Sequence, residues 1–253
     1  MAVSAWSSAR AVVVIRSKER AAKRMTPFSY NEVKIPIAIL HATRASIEPV
    51  NRYYTKNAPH LDIFNLLDDG LMRYLDQLNV AKARQRFLSM LATARDEYGA
   101  KMALLTCSAV PAETMEELRA WDPDFPMIKI DEPMAQMAVK HGERIGVLAT
   151  FPATIATTEA LLRKANARVD IRSVCVRPAL EAIFEGDPSR HDQLITEAAK
   201  DLAALGQLDA VVLAQVSMAH LVEPLRNITG LPVYGSLDTS LAAVVEVLSH
   251  GPR

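Results

Sequence analysis

Short apolar runs rich in β-branched residues alternate with helix-like stretches from Lys34 to the end of the chain. The runs predict strands at residues 35–41, 61–67, 102–107, 127–130, 144–150, 169–176, 210–215 and 233–234. The helix-like stretches between them include residues 71–80, 83–98, 112–119, 133–140, 153–164 and 191–205. This alternation indicates βαβ units and parallel sheets, so we expect an α/β fold.

An internal repeat organises these elements. The segment IAIL at 37–40 resembles IGVL at 145–148, and ALLT at 103–106 resembles VVLA at 211–214, with the same separation along the chain in both pairs. A third pair, PMI at 126–128 and PVY at 232–234, has nearly the same separation. Pairs that keep one order and nearly one spacing predict a duplicated α/β lobe rather than an eight-stranded barrel. We place the first lobe at residues 34–132 plus 240–253 and the second at 133–239.

Two such lobes predict a site in the cleft between them, because open parallel sheets bind ligands beyond the carboxyl ends of their strands. The segments at the predicted ends are HATR at 41–44, CSA at 107–109, TFP at 150–152 and QVS at 215–217. At the common offset, Cys107 is the counterpart of Gln215. We therefore expect one thiol and one carboxamide at pseudo-equivalent positions.

Composition excludes several classes of function. The chain carries 29 basic and 29 acidic residues, so its charge gives no case for a nucleic-acid or anionic-membrane partner. No apolar run reaches the roughly 18 residues that a membrane span needs. The two cysteines form neither a disulfide framework nor a CxxC metal site, so we expect a cytoplasmic setting. The glycines form no GxGxxG motif or Walker loop, which argues against the usual modes of nucleotide binding.

Residues 1–33 differ from the rest of the chain. Residues 1–24 contain six basic side chains against one acidic side chain, Glu19. A basic, acid-poor leader is typical of an organellar transit peptide. We favour a plainer interpretation, a disordered extension or a start codon assigned too early with Met25 as the true start, because nothing before Lys34 fits the strand–helix pattern.

Cys107 ends a predicted strand and lies shortly before Pro111, a residue that suits the first turn of a helix. A helix N-terminus stabilises a thiolate, so we expect a thiol pKa below the usual value of about 8.5. Because ligand sites favour strand carboxyl ends, we interpret Cys107 as a functional thiol rather than a buried structural cysteine. Cys175 lies inside an apolar run, and we interpret it as a buried structural residue.

Hydroxyl-bearing residues surround the same strand ends. Together with helix N-terminal N–H groups they suit a carboxylate or an oxyanion, although each one singly also suits a helix cap. The set comprises Thr43, Ser46, Thr106, Ser108, Thr150, Thr154 and Ser217. His41 and Arg44 are further candidates to meet a carboxylate, and Arg44 equally suits a solvated or lobe-bridging position. The other histidines show no metal-ligand spacing, and we assign them no role.

In this order, several short segments resemble the aspartate/glutamate racemase superfamily, which includes hydantoin racemases, maleate isomerase and arylmalonate decarboxylase. They are IAILHAT at 37–43, LTCS at 105–108, GVLAT at 146–150 and LAQVSM at 213–218, and the resemblance covers roughly residues 34–253. It implies two Rossmann-like lobes, a cofactor-free cleft, and two cysteines that transfer protons on opposite faces of the substrate's α-carbon. By position Cys107 matches the first cysteine, and Ser108 and Thr150 match residues that hold the substrate carboxylate.

Gln215 stands where the resemblance implies the second cysteine, and a carboxamide cannot exchange protons at neutral pH. We expect a cofactor-independent racemase or isomerase in which Cys107 transfers a proton at the carbon next to the carboxylate of a small amino acid or related acid. The expected substrate-binding residues are His41, Thr43, Ser108, Thr150, Gln215 and Ser217, with no metal. A decarboxylase of a malonate-like acid and a non-catalytic carboxylate-binding homologue are the alternatives. A homodimer is common in the family.

Overall fold

The computed structural model describes residues 34–250, which form two four-stranded parallel sheets flanked by helices. The first half of the chain contains β1 (Ile35–His41), α1 (Ile47–Asn57), β2 (Leu61–Leu67), α2 (Leu71–Asp76), α3 (Val80–Ala92), β3 (Met102–Leu105), α4 (Ala112–Trp121) and β4 (Met127–Lys129). The second half contains α5 (Glu132–His141), β5 (Arg144–Ala149), α6 (Pro152–Ala165), β6 (Asp170–Cys175), α7 (Arg177–Glu185), α8 (Pro188–Ala204), β7 (Ala210–Leu213), α9 (Val222–Thr229), β8 (Val233–Tyr234) and α10 (Ser236–His250). Short 3₁₀ segments follow β1 (Arg44–Ser46) and β7 (Val216–Leu221).

The two sheets have the same connectivity, with strand orders β2-β1-β3-β4 and β6-β5-β7-β8. Their backbone hydrogen bonds also repeat. The N–H of Thr106 donates to the carbonyl of Leu40 at 3.0 Å, and at the equivalent positions of the second sheet the N–H of Ala214 donates to the carbonyl of Leu148 at 2.9 Å. The predicted duplicated α/β fold is confirmed, and each predicted strand is present, some with shorter ends.

The central strands are buried on both faces, as parallel sheets between helices require. In β1, Ile37 and Ile39 pack on one face and Ala38 and Leu40 on the other, and all four are fully buried. The C-terminal helix α10 packs against the face of the first sheet that carries Ile37 and Ile39. The chain therefore returns to its first sheet after completing the second.

Several predicted elements end earlier than their apolar patterns suggest, and two of these differences have a clear cause or consequence. The predicted helix 71–80 stops at Asp76, because Leu78 adopts a left-handed conformation (φ 56°) and the side chain of Asn79 caps the next helix. The predicted strand 102–107 stops at Leu105, which leaves Cys107 in the loop before α4. The interpretation of residues 1–33 as an extension concerns residues outside the described part of the chain.

Candidate active site

A cavity of about 320 Å³ lies at the carboxyl ends of the four central strands, β1, β3, β5 and β7. Each sheet contributes two of these strands, so the cavity lies between the lobes, where the site was predicted. The predicted site residues that line it are Thr43, Cys107, Ser108, Thr150, Gln215 and Ser217. His41 is the one predicted site residue that does not.

The thiol of Cys107 lines the cavity but is only 7% exposed. Burial raises the pKa of Cys107 to about 11, while the backbone N–H groups of Ala109 and Val110 and the charge of Lys129 oppose this increase. The prediction of a lowered pKa is therefore wrong in this structure, because the loss of hydration outweighs the nearby donors. With a pKa of about 11, roughly one thiol in ten thousand is ionised at pH 7.

A buried ion pair supports the loop that carries the thiol. The Nζ of Lys129 donates to both carboxylate oxygens of Asp131 at 2.7 Å and to the carbonyl oxygen of Ser108 at 3.2 Å. Both charged residues are 0% exposed. The hydroxyl of Thr157, on α6 of the other lobe, donates to the same carbonyl. Sequence reasoning missed this pair, although a lysine within the predicted apolar strand 127–130 was a signal that could have found it.

Gln215 and Thr150 join the two cavity loops of the second lobe. The backbone N–H of Thr150 and its hydroxyl both donate to Oε1 of Gln215, at 2.5 and 2.9 Å. Because a backbone N–H can only donate, the carboxamide oxygen must face Thr150, which leaves the NH₂ group as the unused donor of the side chain. Thr150 was expected to hold the substrate carboxylate, but both its N–H and its hydroxyl already donate to Gln215.

His41 lies behind the cavity wall rather than in it. Its Nδ1 lies 2.7 Å from the hydroxyl of Ser46 and 3.1 Å from that of Thr106, and its Nε2 lies 2.8 Å from Oδ1 of Asn65. Burial lowers the pKa of His41, against the hydrogen bond to Asn65, so the ring favours its neutral form. The expected direct contact with substrate does not fit this position; His41 instead orients Ser46 and Thr106, which line the cavity.

Hydroxyl groups supply the other polar surface of the cavity. The structure describes no hydrogen bond from the hydroxyls of Ser108 or Ser217 to any residue in 34–250, and both residues line the cavity. Thr43 Oγ1 accepts from the N–H of Ala45 at 3.4 Å, which is the capping role considered from the sequence. Ser108 and Ser217 therefore keep donors for a bound anion.

The family model described as Asp/Glu/Hydantoin racemase matches residues 40–246. The match includes every residue of the cavity loops discussed above. The chain belongs to this family.

Curated relatives of this racemase-family chain match only part of it. A hydantoin racemase from Rhizobium meliloti is 25% identical over 126 residues, which are 50% of this chain and 52% of the relative. A glutamate racemase from Trichodesmium erythraeum is 35% identical over 91 residues, 35% of this chain and 33% of the relative. The chain thus spans about half or less of the length of these relatives.

Solved structures of the racemase family share the fold over most of the chain. A glutamate racemase isoform from Bacillus anthracis superposes with a TM-score of 0.68 at 18% identity, covering 87% of this chain and 83% of that one. An allantoin racemase from Pseudomonas fluorescens gives a TM-score of 0.66 at 17% identity, covering 85% and 91%. At this identity the comparison shows the two-lobed fold of the family.

Two further expectations need correction in this racemase-family chain. Cys175 is exposed rather than buried, because β6 is an edge strand of its sheet. The histidines are not all isolated: ligand atoms of His191, Asp192 and His220 lie within 4.8 Å of one another. The Asp192 carboxylate lies 2.7 Å from Nδ1 of His191 and 2.8 Å from Nε2 of His220, and so ties the 3₁₀ segment after β7 to α8.

Within residues 34–250, no helix is both long enough and apolar enough to cross a membrane.

Proposed function

We propose that this protein is a cofactor-independent racemase or related isomerase that moves a proton at the carbon next to a carboxylate, with Cys107 as the acid–base group. The observation that carries the proposal is the position of the Cys107 thiol in an interlobe cavity that also presents, from both lobes, hydroxyls without a hydrogen-bond partner among residues 34–250. The names of the relatives, glutamate and hydantoin racemase, support this class of reaction. The substrate is a small carboxylate-bearing molecule.

Cys107 starts the reaction cycle as a neutral thiol, since its pKa is about 11. To accept the substrate proton it must first lose its own, and to donate it must leave a thiolate behind. The N–H groups of Ala109 and Val110, which favour the thiolate, are already directed at the sulfur and need no reorganisation. We infer that they stabilise the sulfur charge during proton transfer, while burial keeps the resting state neutral.

The substrate carboxylate is assigned to the polar groups around the thiol. The hydroxyls of Ser108 and Ser217 and the NH₂ group of Gln215 are donors that the protein does not use internally within residues 34–250. Oxygen anions bind well to such preorganised donors. Thr150 acts indirectly in this arrangement, because its N–H and hydroxyl hold Gln215 in place.

Only one face of the reacting carbon meets a thiol in this arrangement. Gln215 occupies the pseudo-equivalent position and cannot exchange protons at neutral pH. We propose that proton exchange with retention at the Cys107 face is faster than inversion, which requires a proton from a hydroxyl or from water on the other face. Neither source has an acidity matched to neutral pH.

A decarboxylase of a malonate-like acid is the second candidate, and the raised pKa of Cys107 favours it. Decarboxylation leaves a carbanion that needs one proton from one face, and a neutral buried thiol can supply it. In this version no proton is abstracted from carbon, so the second thiol is not needed.

Proton NMR in deuterated water separates these reactions. Purified full-length protein is incubated with amino acids and with substituted malonates. Three quantities are measured: loss of the α-proton signal by NMR, inversion of configuration by chiral chromatography, and release of CO₂. Cys107→Ser is expected to slow the reaction by about 10²–10⁴-fold, the usual contribution of a general acid–base group. Cys175→Ser is the matched control and is expected to leave the rate within twofold. Full activity of Cys107→Ser would remove the proposed role of the thiol.

The setting of the protein is also a proposal. Two cysteines that form no disulfide within residues 34–250 fit a reducing cytoplasm. Two further statements stay predictions. One is the assignment of residues 34–132 plus 240–253 to one lobe and 133–239 to the other; the second is a possible homodimer. Size-exclusion chromatography with light scattering tests the dimer directly.

A further inference from the structure

The cavity has an apolar wall that the proton-transfer chemistry does not use. Helix α7 directs Leu180, Ile183 and Phe184 toward the cavity. Their i, i+3, i+4 spacing places them on one face of the helix. Phe184 is 66% exposed and lines the cavity, so its ring is accessible to a ligand bound there.

Two residues from other elements extend this wall toward the thiol. Met72 comes from α2, and Phe151 follows β5; both line the cavity. Cys107 and Phe151 belong to one buried apolar cluster, and Met72 and Leu180 pack against it. The apolar cluster therefore extends from the reacting sulfur to Leu180 on α7, and Ile183 and Phe184 line the cavity from the same helix.

From this wall we propose that the reacting carbon of the substrate carries an apolar substituent, a branched aliphatic or an aromatic group, rather than an acidic side chain. The inference rests on the proposed function and assigns its substrate class. The apolar side chains of this wall offer no hydrogen-bond donor, so a second carboxylate packed against them would lose hydration without compensation from the wall itself. An apolar group gains from leaving water, and it would also cover Phe184. The substrate carboxylate meets the hydroxyls of Ser108 and Ser217, as above.

Charged residues of the cavity define the competing assignment. Arg73, Asp76 and Arg177 also line it, and all three are exposed to solvent. The two arginines would attract any carboxylate to the cavity. In a substrate with two carboxylates, the second carboxylate would bind one of these arginines directly. Substrates with an acidic side chain are therefore the decisive comparison.

Substrate preference is measured first as α-proton exchange in deuterated water. The full chain is given phenylalanine, leucine, aspartate and glutamate, each as both enantiomers. The kcat/KM for phenylalanine or leucine is expected to exceed that for aspartate and glutamate by at least about tenfold, within the range that apolar pockets achieve. Faster exchange of aspartate or glutamate would overturn the inference.

Variants then locate the preference. Phe184→Ala is expected to lower kcat/KM for phenylalanine about tenfold, and by a larger factor than it lowers kcat/KM for alanine. Leu205→Ala is the matched control, because Leu205 is equally exposed at 65% and does not line the cavity. Arg177→Ala tests the competing assignment. If it lowers kcat/KM for phenylalanine more than Phe184→Ala does, the apolar wall is not the source of the preference.

A binding measurement keeps the inference testable if no amino acid exchanges. Isothermal titration compares 3-phenylpropanoate with glutarate, one apolar and one acidic at the far end. The inference predicts at least tenfold tighter binding of 3-phenylpropanoate, weakened by Phe184→Ala and unchanged by Leu205→Ala. That result without exchange would refute the proposed reaction but retain the apolar wall; tighter binding of glutarate would refute the wall itself.

Discussion

The loops after β3 and β7 occupy equivalent positions in the two lobes but carry different chemistry. The first presents Cys107, a buried thiol with backbone N–H groups directed at it. The second presents Gln215, whose oxygen is used within its own lobe by Thr150. The duplicated backbone thus supplies two similar frames, and only one of them holds a group that can transfer a proton.

The side-chain interactions that hold these two loops in place also differ between the lobes. Below the Cys107 loop, Lys129 and Asp131 form a fully buried pair that also holds the carbonyl of Ser108. At the sequence offset that relates β4 to β8, the second lobe has Gly235 and Leu237 instead. The loop that carries Gln215 is tied at the surface, through His220 and Asp192. Within residues 34–250, a fully buried ion pair therefore supports the thiol loop but not the Gln215 loop.

The largest expected effect concerns the reactivity of the two thiols. Because the pKa of Cys107 is raised to about 11, its thiolate fraction and alkylation rate should rise about tenfold per pH unit, roughly a thousandfold from pH 7.5 to 10.5. Iodoacetamide modification is followed by mass spectrometry in Cys175→Ser. The exposed Cys175, measured in Cys107→Ser, should react faster at every pH. A plateau for Cys107 below pH 9 would show that burial does not control the thiol.

The same pKa has a consequence for stability. The folded state keeps a proton on Cys107 that the unfolded state releases above its ordinary pKa of about 9.0. The Cys107 contribution is therefore fully present below pH 9 and is lost as pH rises toward 11. Cys107→Ala should show a smaller decrease in unfolding free energy over this interval than the parent protein. Urea denaturation at a series of pH values measures the difference, and parallel pH profiles for the two proteins would contradict it.

Breaking the support of the first lobe should have the next largest effect. Lys129→Met leaves the Asp131 carboxylate buried without its partner and should cost about 3–5 kcal/mol of unfolding free energy. The double variant Lys129→Met with Asp131→Leu should recover much of that loss, because it removes the isolated charge. Urea denaturation measures both. A loss in the single variant no larger than the cost of breaking a surface ion pair would mean that the pair does not hold the Cys107 loop.

Only part of this difference between the two lobes could be predicted from the sequence. Apolar runs repeated at one constant offset were enough to predict the duplicated sheets and the position of Cys107 opposite Gln215. The burial of Cys107 and the exposure of Cys175 could not be predicted, because they depend on which strand lies at a sheet edge. His41 ends a strand at the site and yet faces the interior, where it meets Ser46 and Thr106, and its sequence position alone does not show these contacts.

Changing Gln215 tests the second lobe. Gln215→Leu leaves the N–H and hydroxyl of Thr150 without their acceptor, which should cost about 1–3 kcal/mol of unfolding free energy. Gln215→Glu keeps an acceptor oxygen and should retain stability, but its charge should raise KM for a carboxylate substrate by repulsion. Equal KM values for the glutamate variant and the parent would place the substrate carboxylate away from Gln215.

The smallest effect is expected at the surface tie of the second lobe. His220 is exposed, and a pair of this kind with Asp192 contributes about 0–1 kcal/mol. The segment Val216–Leu221 is also held by buried Val216, Met218 and Leu221, so His220→Ala should unfold with nearly parental free energy. A loss in urea denaturation as large as that expected for Lys129→Met would give this loop a tie comparable to the Lys129–Asp131 pair. The two loops would then have ties of similar strength, while the difference in their chemistry would stay.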